Sequence, residues 1–104
     1  MEKRRAHYNL DRVKALVQRG AFRVTRSALI CARCDFAFTE PQELADLVME
    51  LSNAQLYKSM TTIADPTVWQ DVYHGNVNGI AAYIKLQIVS ETTVIISFKK
   101  LESD

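Results

Sequence analysis

Few residues in this chain of 104 have the types and spacing that chemistry needs. Cys31 and Cys34 form a C-x-x-C pair, but zinc normally takes four ligands, and only His7 and His74 remain to join the two thiols. A redox pair wants a strand-to-helix setting with an exposed leading thiol. This one falls late in a helical pattern and reads as two incidental helix cysteines. Asp65 and Asp71 are isolated carboxylates on strand-like segments, a weak metal signal. There is no glycine-rich phosphate loop and no suggested Ser/His/Asp arrangement, so neither metal nor cofactor is expected. Four polar residues on the strand-like segments, Lys58, Gln70, Tyr83 and Lys99, form a candidate set if strand register sets them on one face. Apart, they are solvated strand lysines, a surface amide and a half-buried tyrosine; together, they would form one polar patch. The elements that carry them decide which.

Three helix patterns come first. In NLDRVKALVQRG the residues Leu10, Val13, Leu16 and Val17 recur at helical spacing, and Gly20 supplies a stop. Phe22 to Val24 suit a short strand, after which Thr25 can cap a helix over RSALICARC. Thr39 with Gln42 reads as a capping box, Pro41 fits the first turn, and Leu44, Leu47, Val48 and Leu51 form the apolar stripe of a third helix. Ser52 and Gln55 repeat the capping pattern over one turn only. From Leu56 the pattern turns strand-like: YKSMTTI and TVWQDVYH are rich in β-branched and aromatic residues, with Ala64-Asp65-Pro66 between them. GNVNG reads as a loop. IAAYIKLQIV and TTVIISFKK then alternate, with Ile80, Ala82, Ile84, Leu86 and Ile88, and Val94, Ile96 and Phe98, on the apolar sides. Helices followed by strands on short turns predict an α+β fold, with N-terminal helices on one face of an antiparallel sheet.

The other face is free, and turn lengths fix what occupies it. A three-residue loop at Ser90-Glu91-Thr92 sets Tyr83 opposite Lys99. A four-residue loop from Gly75 to Asn78 sets Gln70 opposite Tyr83. A turn at Ala64-Asp65-Pro66 sets Lys58 opposite Val72, diagonal to Gln70. Opposed residues lie about 5 Å apart and diagonal ones about 7–8 Å, so Lys58, Gln70, Tyr83 and Lys99 would share one patch across four adjacent strands.

Composition bounds the rest. Apolar residues make up 48% and charged residues 24%, which excludes wholesale disorder and suits one globular domain over residues 1–104. No run approaches the roughly 18 apolar residues of a membrane span. The basic start has no apolar segment behind it, so no secretory signal is read, and two cysteines make no disulfide framework; a cytoplasmic protein is expected. The net charge of +1 hides an asymmetry: residues 1–33 carry +7 and residues 34–57 carry −5. The basic block suits phosphates, an acidic protein partner or simply solvent.

The segment LYKSMTTIADPTVWQDVYHG resembles the motility quorum-sensing regulator toxins, whose central motif reads much like this YKSMTT…WQDVY. The resemblance extends to MEKR with His7, to TRSAL at residues 25–29 and to the closing ISFKK, and so spans nearly the whole chain. It implies a RelE-like microbial ribonuclease fold and an mRNA interferase, the toxin of a type II toxin–antitoxin system. Such a toxin cuts single-stranded mRNA at GCU-like sites and halts growth. Carried over by position, the family's functional residues fall on Lys58, Gln70, Tyr83 and Lys99, the four that the register sets on one face. The partners implied are mRNA and a cognate zinc-containing helix-turn-helix antitoxin, with DNA reached only through that antitoxin and no membrane.

The implied chemistry needs no metal, because RNA carries its own nucleophile. The 2′-hydroxyl attacks the adjacent phosphate once deprotonated, and the enzyme stabilises phosphoryl charge and protonates the leaving 5′-oxygen. Lys58 and Lys99 are expected at the phosphate, with one of them, or Tyr83, in proton transfer; Gln70 would position the phosphate or the 2′-hydroxyl. A lysine acts as base near neutral pH only if burial or a second cation lowers its pKa. Tyr57, Met60 and His74 flank the patch as candidate RNA contacts. Some relatives carry arginine where this chain has His74, and an imidazole is charged only in part at neutral pH. The alternative function is a non-catalytic regulator that binds the antitoxin and modulates transcription through it.

Overall fold

The computed structural model describes residues 1–102. Helix α1 (Leu10–Gln18) starts at Asn9, whose side chain accepts from the Arg12 N–H, and buries Leu10, Val13, Leu16 and Val17. After strand β2 (Phe22–Val24), Thr25 caps helix α2 (Arg26–Phe36) through the Ala28 N–H. The same hydroxyl donates to the Ile96 carbonyl at 2.7 Å, which ties the helix start to the last strand. Helix α3 (Pro41–Met49) begins one residue later than expected. Its box is acidic: the Glu43 carboxylate accepts the N–H groups of Thr39 at 2.9 Å and Glu40 at 3.0 Å. Pro41 in the first helical position sets the cap at Glu40 rather than Thr39, and Gln42 bonds Asp46 instead. One 3-10 turn, Asn53–Gln55, follows.

Strands β3 (Leu56–Thr61), β4 (Trp69–Val77), β5 (Ile80–Val89) and β6 (Thr92–Lys100) form a meander. With β1 (Glu2–Lys3), the sheet order is β1-β3-β4-β5-β6-β2. The fold is α+β. One edge departs from the antiparallel expectation, since β2 pairs β6 in parallel. No hairpin turn sets its direction; α2 and α3 carry the chain from β2 across to the other strands.

Two turns are tighter than read from the sequence. β4 runs through GNV to Val77, and only Asn78 and Gly79, at φ 51° and 89°, make the turn to β5. Asn-Gly takes this conformation readily, and it matches the strand twist. Ser90 and Glu91, at φ 48° and 60°, close the β5–β6 hairpin in the same way. A bulge between Lys85 and Leu86 and their partners Ser97 and Ile95 then leaves Ile96 as the extra residue. The bulge overturns the simple alternation of β6. Ile95 joins the helix-side core together with Phe98, and the Thr93 hydroxyl donates to the Val13 carbonyl.

The helices cover one face, where Tyr73, Ile84, Leu86, Ile95 and Phe98 meet Val13, Leu44 and Val48. Gly75 sits inside β4 on this side, and a Cβ there would lie 2.9 Å from Ile84 Cδ1 and 3.3 Å from Leu51 Cδ2. The Tyr73 hydroxyl is buried with no hydrogen-bond partner among the described residues, and burial pushes its pKa up to about 12. No helix in the described residues is long and apolar enough to cross a membrane.

Candidate active site

The open face presents cations, aromatics and amides in registered rows. In one row Lys58 on β3 lies opposite Val72 on β4, Val72 opposite Lys85 on β5, and Lys85 opposite Ser97 on β6. In the next, His74 lies opposite Tyr83 and Tyr83 opposite Lys99. Lys58, Tyr83 and Lys99 therefore come together as expected. The Lys99 Nζ lies 5.3 Å from the Tyr83 ring centroid. Tyr83 still faces Lys99 although the turn is one residue shorter and β6 does not simply alternate, because the bulge restores the one residue that the shorter turn removes.

Gln70 does not face Tyr83. With a two-residue turn at Asn78-Gly79, Tyr83 moves opposite His74. Gln70, four residues back on β4, is then about 13 Å away along the strand. It stays diagonal to Lys58, and its Nε2 donates to Gln87 Oε1 at 2.9 Å. Met60, opposite Gln70, marks the same far end. The polar set is thus spread over three successive rows, with Gln70 in the first, Lys58 in the second and Tyr83 with Lys99 in the third, rather than forming one compact knot.

A second bulge adds an aromatic. Leu56 pairs with Tyr73 and Lys58 with Val72, so Tyr57 is the extra residue. Bulges re-aim side chains; this one lets Tyr57 and Lys58 serve the same face. The Tyr57 ring stacks on His74 with centroids 4.3 Å apart and planes 18° apart. The Arg4 guanidinium lies 5.5 Å from the Tyr57 ring and donates to the Tyr57 carbonyl. Periodicity alone hides such an insertion.

Electrostatics separate the lysines. Lys58 Nζ donates to Glu2 Oε2 at 2.6 Å. That hydrogen bond raises the Lys58 pKa above the usual lysine range and lowers that of Glu2. Lys85 is shifted the other way, first by burial and then by Lys99 and Lys58. Its Nζ lies 5.9 Å from the Tyr83 ring centroid. Burial raises the Tyr83 phenol against the lowering effect of Lys58, so it stays protonated at neutral pH. In the sequence, only its alternation in phase with Tyr83 marks Lys85 as a residue of this face.

The carboxylates serve the scaffold. Buried Asp71 accepts the N–H groups of His7 at 3.0 Å and Tyr8 at 2.9 Å, which pins the segment carrying Glu2 and Arg4. Tyr8 bonds the Trp69 carbonyl and His7 stacks on Trp69. Asp65 accepts from the Thr67 N–H and hydroxyl inside its own loop. Cys31 and Cys34 are free on α2. Among the described residues no group of three or more His, Cys, Asp or Glu side chains could hold a metal ion.

A helix-backed sheet that gives its open face to three lysines, a phenol and an aromatic stack defines a protein equipped to engage a polyanion with its own side chains. The family described as "Motility quorum-sensing regulator, toxin of MqsA" matches residues 5–100. The mRNA interferase toxin MqsR of Escherichia coli (strain K12) is 40% identical over 100 residues, covering 96% of this chain and 99% of that protein. The chain belongs to the motility quorum-sensing regulator toxin family.

Proposed function

We propose that this toxin is an endoribonuclease that cuts single-stranded mRNA by 2′-hydroxyl attack, at GCU-like sites, without a metal ion. The observation that carries the reading is the registered placement of Lys58, Tyr83 and Lys99 on the open sheet face. The Escherichia coli relative's name, an mRNA interferase toxin, agrees with it. Lys58 and Lys99 neutralise the phosphoryl oxygens as charge builds in the transition state. Tyr83, protonated between them, donates a hydrogen bond to the same phosphate. Gln70, held by Gln87, contacts the strand two residues away from the Lys58 row. Tyr57 stacked on His74 offers a platform for a splayed base, the usual way that single-stranded RNA is read. Met60 borders the Gln70 end.

The protein partner of this reading is a cognate antitoxin, which the family description includes as MqsA. We assign it the zinc-containing, helix-turn-helix character that the sequence resemblance implies, and DNA is reached only through it.

The test is cleavage of a single-stranded RNA with several GCN triplets by the purified chain in EDTA, beside Lys58→Ala. Fragments ending in 2′,3′-cyclic phosphate and 5′-hydroxyl, reduced about 100-fold or more in the variant, support the reading. No cleavage by the folded wild-type chain leaves the antitoxin-binding regulator. Equal cleavage by both proteins removes Lys58 from the site.

A further inference from the structure

Three lysines share the open face, and they are not equivalent. Lys58 is held as an ammonium by the Glu2 carboxylate. Lys99, near the end of β6, is exposed. Lys85 lies in the middle of the sheet, between Val72 and Ser97, with its head group near the Tyr83 ring. The charged and titratable groups around it are Lys58 on β3 with Glu2 on β1, His74 on β4, Tyr83 on its own strand and Lys99 on β6. The one carboxylate among them is already bonded to Lys58. Burial and the two flanking ammonium groups both favour a neutral amine at Lys85.

Two lysines flank one position of β4. Lys58 and Lys85 stand on opposite sides of Val72, two strand spacings or about 10 Å apart at the backbone. Their long side chains can reach opposite ends of a phosphodiester seated over Val72.

Resting on the ribonuclease reading above, we propose that Lys85 is a catalytic residue, the base that accepts the proton of the attacking 2′-hydroxyl. The 2′-oxygen forms its bond to phosphorus as its proton passes to the Lys85 amine. The bond from phosphorus to the 5′-oxygen breaks, and that oxygen takes a proton from the Lys58 ammonium across the row. The products are a 2′,3′-cyclic phosphate and a 5′-hydroxyl. Lys85 leaves the step as an ammonium and Lys58 as an amine, and solvent exchange resets both.

The test compares wild type, Lys85→Arg and Lys85→Ala in single-turnover cleavage of one GCU-containing oligoribonucleotide, from about pH 6 to about pH 10. Binding is measured on the same oligonucleotide with a 2′-deoxy group at the cut site, and folding by near-UV circular dichroism. The wild-type rate should rise with pH and level off below the usual lysine range. Lys85→Arg carries a permanent positive charge and cannot accept a proton. It should bind the deoxy analogue within about threefold of wild type and cleave about 100-fold more slowly or worse, without the rising limb. A small primary amine added to Lys85→Ala should restore cleavage in proportion to its free-base concentration. Lys85→Arg cleaving at the wild-type rate with an unchanged pH profile overturns the proposal and leaves the ribonuclease reading intact. So does an equal loss of binding and cleavage with no amine rescue. A folded wild-type chain that binds RNA and never cuts it overturns both.

Discussion

Glu2 Oε2 lies 2.6 Å from Lys58 Nζ, with the Lys58 side chain 20% exposed and that of Glu2 54%. The first strand thus brings a carboxylate onto one of the three lysines of the open face, and on the proposed function an incoming RNA phosphate takes its place. Glu2 is shifted below the ordinary carboxylate range, mainly by its bond to Lys58. The pair is therefore complete at neutral pH and is lost only as pH falls through that depressed value.

Glu2→Gln keeps the side-chain size and removes the competing charge. The KM for single-stranded RNA should fall about threefold, as suits release from an exposed ion pair. The RNA affinity of the variant should also fall more steeply with added salt, because Lys58 is then free to pair with phosphate. Steady-state cleavage at two salt concentrations checks both.

Tyr57 owes its place beside His74 to the β3 bulge. If the stack receives a base, Tyr57→Ala should raise KM about tenfold or more, the usual cost of a lost base–aromatic stack. Tyr57→Phe should leave KM near wild type. Equal KM values for Tyr57→Ala and wild type would exclude the stack from the RNA path.

Asp71 satisfies two backbone N–H groups of the N-terminal segment while buried at 1% exposure. Asp71→Ala should destabilise the fold by about 3 kcal/mol, the scale for losing hydrogen bonds to a buried charged acceptor. The same change frees the segment that carries Glu2 and Arg4, so cleavage should suffer even at temperatures where the variant is folded. Urea unfolding and an activity assay at low temperature separate the two effects.

Gly75 has no room for a side chain against Ile84 and Leu51, both fully packed in the core. Gly75→Ala should cost about 1–2 kcal/mol, and Gly75→Val more, as overpacking does. Each kcal/mol corresponds to a Tm drop of about 4–8 °C for a domain of this size, which calorimetry reads directly. The face that carries Lys58 is on the other side of β4, so the RNA affinity of folded Gly75→Ala should change little.

Much of this protein is legible in local chemistry. The cap at Thr25, the single turn after Ser52 and the Leu10–Val17 stripe each depend on neighbours within about two helical turns. The capping atoms and the apolar spacing are therefore all present in the string. The YKSMTT and WQDVY motifs carry the family, and the phase of Lys58, Tyr83 and Lys99 on their strands carries their common face. Tertiary structure alone decided the rest. Whether Asn78-Gly79 makes the turn by itself, and where the chain inserts Tyr57 and Ile96, depends on pairing energies between strands; the short turn moves Gln70 away from Tyr83, and the insertion at Tyr57 brings that ring onto His74. The Glu2–Lys58 pair joins residues 56 positions apart. Lys85 looks like any alternating strand lysine until two other ammonium groups and a half-buried setting surround it. Charge coupling falls off with distance through space, not with separation along the chain, and only the closed sheet fixes those distances.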